Sequence, residues 1–127
     1  MTSWHVPALG VLSVCLLNGC SNNTAPVAGG LNVNISSPYL DDGALMLSVS
    51  GGPVDSVESV GFRIYSIRAA DSVKFIVTGK LGSGRVARIH IPDGREAFRY
   101  TARISQAAAR GSYAPRNPAD YSAALLP

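Results

Sequence analysis

At 127 residues the chain has room for one core and no more, because a single core organises roughly 100 to 150 residues. With 46% apolar and 15% charged residues it falls outside the range of disordered chains, and its two cysteines exclude a disulfide-rich scaffold. The formal charge of +3 is unevenly spread: every Lys and Arg lies between Arg63 and Arg116, so the second half is basic.

Residues 6–17 (VPALGVLSVCLL) form an apolar stretch of 12, shorter than the roughly 18 to 20 needed to cross a bilayer. Its length suits the core of a cleavable signal instead. Leu17-Asn18-Gly19-Cys20, followed by Ser21, resembles the lipobox of bacterial lipoproteins. That resemblance implies cleavage between Gly19 and Cys20, removal of residues 1–19, and a diacylglycerol thioether on the Cys20 sulfur, with palmitate on the new amino terminus. The thiol is the strong nucleophile of the segment, which is why such an attachment needs cysteine. A disulfide between Cys15 and Cys20 is the competing use of the two thiols, and it would keep the apolar leader on the exported body. Two or three acyl chains make a stable anchor, since burial is worth about 0.8 kcal/mol per methylene and one chain holds only marginally. Ser21 behind the cysteine implies, by the same resemblance, delivery to the outer membrane and a place in the cell envelope. Such export argues against nucleic acid as the partner of the basic half, although Arg-rich surfaces otherwise suggest phosphate contacts. Residues 20–30, rich in small and polar side chains, read as the lipidated Cys20 and a flexible tether.

From residue 31 to 127 apolar residues alternate in short runs between turn signals, the pattern of half-buried strands. Leu31, Val33 and Ile35 form the first set, and Leu45, Leu47 and Val49 the second, with the turn 37–43 between them. A run over 57–67 places Phe62 and Ile64 opposite Arg63 and Tyr65, and Val73, Phe75 and Val77 follow. Residues 79–84 (GKLGSG) read as a hairpin with positive φ angles. Beyond it Ala87, Ile89 and Ile91 point inward, with Arg88 and His90 outward. Phe98, Tyr100, Ala102 and Ile104 form the next inward set, and a last strand is expected over 121–126. A helix over 96–110 is the rival reading, because the segment is Ala-rich and Arg95, Arg99 and Arg103 have helical spacing.

About seven short strands of this kind predict an all-β fold, an antiparallel two-sheet sandwich behind a signal peptide and short linker. Residues 92–105 (PDGREAFRYTARIS) resemble the turn and penultimate strand of fibronectin type III or immunoglobulin-like domains, which implies that Tyr100 locks a corner. Residues 43–61, 72–79 and 82–91 are similar to the strand order of cohesin-like sandwiches. Either resemblance implies the architecture and not the partner.

His90 is the single histidine after the leader, so neither a histidine metal cluster nor a residue-rich catalytic set is expected, and no cofactor is implied. Phosphate loops, the nucleophile elbow and the zinc-protease helix motif are absent from the sequence. Asp41-Asp42-Gly43 and Asp93-Gly94 read as turns before they read as calcium ligands. Tyr39, Tyr113, Arg110 and Arg116 are the candidate binding residues, a loop patch of the types enriched in recognition hot spots, to which Tyr121 could add. The expected function is non-catalytic binding or scaffolding at the envelope. Its partners would be the membrane, through Cys20, and an envelope protein or anionic glycan. The alternatives are an envelope hydrolase using clustered carboxylates and a structural accessory subunit of a surface or secretion assembly.

Overall fold

Alternation along each strand gives every strand one apolar face, and such faces leave water only by closing on one another. The computed structural model describes residues 25–127, and in it that closure makes two antiparallel sheets. Residues 1–19, the Gly19–Cys20 junction and the first part of the tether lie outside the described residues. The first sheet holds β3 (Ser56–Ser59), β6 (Gly84–Ile91), β1 (Gly29–Ser36) and β9 (Ser122–Leu126), in that order. The second holds β4 (Arg63–Arg68), β5 (Ser72–Leu81), β2 (Asp42–Ser50), β7 (Thr101–Ala109) and β8 (Pro115–Arg116). Inward residues of β1, β2, β5 and β6 fill the space between them, and Val33, Leu45, Leu47, Val49, Val77 and Ile89 are wholly buried.

Among the described residues nine strands replace the expected seven. The run over 57–67 is two strands in different sheets, because the chain jogs at Gly61 (φ 119°) and crosses the sandwich. The Ser59 hydroxyl closes that jog by donating to the Phe62 carbonyl. The second addition is β8, a short strand that forms the edge of the second sheet beside β7. Residues 79–84 are also not a hairpin. Gly79 and Gly84 do have positive φ, but β5 pairs with β2 and β4 while β6 pairs with β1 and β3, so the segment steps from one sheet to the other. β1 starts at Gly29, slightly before the alternating residues begin.

The segment 95–110 is strand rather than helix only from Thr101 onward. Before it, the Asp93 carboxylate accepts a hydrogen bond from the Arg95 amide at 3.1 Å and caps a 3-10 turn over Gly94–Arg99. Phe98, expected to point inward, is therefore on this turn and 81% exposed. Tyr100 and Ile104 do turn inward. A bulge then takes Ser105 out of the register with β2, so the inward position passes from Ile104 to Ala107. The Tyr100 hydroxyl donates to the Pro53 carbonyl at 2.6 Å. It fastens a corner as expected, but to the connection between β2 and β3.

The strand directions give the sandwich two distinct ends. Gly29, where β1 begins, sits beside Ile91, the 3-10 turn and the end of β2. The loops 37–41, 82–83 and 110–120 gather at the other end, about 25 Å away by the length of an eight-residue strand.

Candidate binding site

At the end far from Gly29, the polar residues organise around one carboxylate. Asp42 opens β2 with no exposed surface, and a charge so placed must be fully partnered. Its Oδ2 accepts from the Ser37 hydroxyl at 2.5 Å. Its Oδ1 accepts from the Tyr121 hydroxyl at 2.6 Å and from Arg116 Nη1 at 2.8 Å. Arg116 Nη2 reaches Asp41 Oδ1 at 3.0 Å, so one guanidinium spans two successive carboxylates. Its Cζ lies over the Tyr39 ring, 3.9 Å from the ring centre, and that ring in turn packs against Tyr121 at 6.2 Å between centroids. The loop after β1, the start of β2, strand β8 and the entry to β9 are thereby clasped together.

Burial works against the Arg116 charge, but the hydrogen bonds to Asp42 and Asp41 outweigh it and hold its pKa above the ordinary value. Burial, followed by the hydrogen bond to Asp42, pushes the Tyr121 phenol up to about 12. At neutral pH the clasp thus holds a fixed cation and a protonated phenol, groups suited to positioning rather than to proton transfer. Asp41 and Asp42 are both engaged by Arg116, so the Asp41-Asp42-Gly43 turn serves the clasp.

The clasp sets the position of β8, and β8 walls a groove of about 560 Å³ on the outer face of the second sheet. Ala44, Met46, Ile76 and Ala108 lie along its apolar floor, with Tyr113, Pro115 and Pro118 at its side. Tyr113 is 57% exposed and takes a left-handed conformation (φ 55°) in the turn between β7 and β8. The groove lining includes no carboxylate. Across the rest of that face the outward positions include Arg63, Lys74 and Arg103 but no acid, and none of the three forms an ion pair among the described residues.

Three of the four candidate residues, Tyr39, Tyr113 and Arg116, thus meet at the clasp and groove. Arg110 is nearby, but its backbone amide makes the contact, donating to the Asp41 carbonyl at 2.8 Å, while its side chain is exposed. Sequence reasoning missed Asp42, because a short Asp-Asp-Gly segment signals a turn and its partners are 74 and 79 residues away. It also missed Met46 and Ile76, paired neighbours on β2 and β5 whose apolar side chains carry no mark of a site. His90 faces outward on the first sheet, where its Nε2 lies 2.8 Å from Glu58. Cys20 lies outside the described residues, and among those described no helix is long and apolar enough to cross a membrane. Compared with protein-family models, curated proteins and solved structures, the chain matches none.

Proposed function

We propose that this chain is a lipid-anchored, non-catalytic binding module of the bacterial cell envelope. Cys20 carries the lipid, Ser21 favours the outer membrane, and the groove beside Tyr113 and Arg116 receives an envelope protein or an anionic glycan. The observation that carries the reading is the opposition of the two ends. The segment leading to Cys20 joins the body at Gly29, whereas Tyr39, Tyr113 and Arg116 lie at the other end of the strands, and the groove runs from that end to the middle of the second sheet's outer face. A body tethered in this way presents its recognition surface away from the bilayer. The acid-free, cationic outer face of the second sheet supports an anionic ligand through charge attraction, and the carboxylate-free groove supports binding over acid-assisted hydrolysis.

Two arms test the reading in the native host. Cys20→Ser should remove the acyl mass and move the protein from the membrane fraction to the soluble one, or leave it unprocessed. A photo-crosslinker at position 113 should trap the same envelope macromolecule repeatedly, and Met46→Glu should abolish the trapping. Unchanged mass and fractionation would overturn the anchor, and trapping indifferent to Met46→Glu would overturn the groove.

A further inference from the structure

The end that receives the tether carries its own unusual surface. The Gly94 amide donates to the Val27 carbonyl at 2.6 Å, so the incoming chain is pinned to the 3-10 turn before β1 begins. A Cβ at Gly29 would meet the Gly94 backbone at 2.7 Å, so this junction closes tightly. Val27 is 64% exposed and Phe98, on the same turn, 81% exposed. The charges around them cancel in pairs: Arg95 forks onto Asp93 at 3.0 Å, and Arg99 meets Glu96 at 3.0 Å. An exposed phenylalanine ring among neutralised charges is costly in water and suited to the boundary between headgroups and acyl chains, where surface-lying segments bury Phe, Trp and Leu.

Chain length brings that ring to the bilayer. Six residues lie between Cys20 and Val27, so seven residue-to-residue steps span at most about 25 Å when extended and roughly 15 Å as a coil. We infer that the 3-10 turn Gly94–Arg99 rests on the bilayer with the Phe98 ring in the interface, so that the body stands upright on the membrane. This inference rests on the lipid anchor proposed above. Because the local charges are paired, contact depends on the ring and not on anionic lipid, and it persists at high salt.

An indole placed at position 98 reads the contact directly, because Trp4 is the chain's one tryptophan. The processed, lipid-bearing protein, from which Trp4 has left with residues 1–19, would carry Phe98→Trp and be incorporated into vesicles of phosphatidylethanolamine and phosphatidylglycerol doped with brominated phosphatidylcholine. A matched protein with Leu40→Trp places the indole at the opposite end. Leu40 is 88% exposed, so both substitutions leave the packing intact. The expected result is a blue shift and strong quenching at position 98, unchanged in high salt, with emission at position 40 unshifted and unquenched. Flotation with the vesicles without quenching at position 98, or with equal quenching at both positions, overturns the upright contact and leaves the anchor standing. Failure to float overturns the anchor and the contact together.

Discussion

Asp42 shows how much one side chain can hold. With no access to water, its carboxylate depends on Ser37, Arg116 and Tyr121, and each of them depends on it. Asp42→Ala removes one side of a buried ion pair and should cost about 3 kcal/mol of stability, measured by urea unfolding. Tyr121 adds a pH dependence of definite sign. Its phenol titrates at about 12 in the folded state against 10.0 ordinarily, so the folded protein holds this proton more tightly than the unfolded one. The resulting stabilisation is complete below pH 10.0 and is lost as pH rises towards about 12. Thermal unfolding across that alkaline window should show the decline, and Tyr121→Phe should make it shallower. Tyr100 would supply a remaining slope, since burial and then the charge of Asp55 raise its pKa as well. Arg116, Tyr121 and Tyr39 were legible as a loop patch, but the carboxylate that gathers them was not, because an Asp-Asp-Gly segment carries no mark of partners that follow it by more than seventy residues.

Strands were far more legible than their connections. Leu31, Val33 and Ile35, then Leu45, Leu47 and Val49, and later Val73, Phe75 and Val77 announced their inward faces by alternation, and all are buried. Alternation is a property of one strand, however, and says nothing about which sheet that strand joins. That is why 79–84 looked like a hairpin and 57–67 like one strand. Phe98 misled for a related reason: it stands in phase with Tyr100 and Ala102, but the Asp93 cap coils the chain before the pleat begins. Gly51 marks another connection set by tertiary contact. It has φ 119°, and a Cβ there would collide with the Arg99 carbonyl. Gly51→Ala should therefore lose more than about 1 kcal/mol in the same urea assay, more than the conformational cost of glycine alone.

At the scale of the molecule, membrane attachment and recognition are proposed for opposite ends, and β1 joins them. β1 is not an edge strand; it lies between β6 and β9 with antiparallel neighbours on both sides. Tension entering at Val27 and leaving through a ligand held near Tyr113 runs along the strands, so both ladders flanking β1 are sheared at once instead of opening one bond at a time. The body should accordingly resist traction between an envelope and whatever it grips. Single-molecule stretching should give a higher rupture force for handles at positions 27 and 113 than for a pull on Pro127 that peels β9 from its edge. Equal forces for the two geometries would show that the two ladders do not share the load.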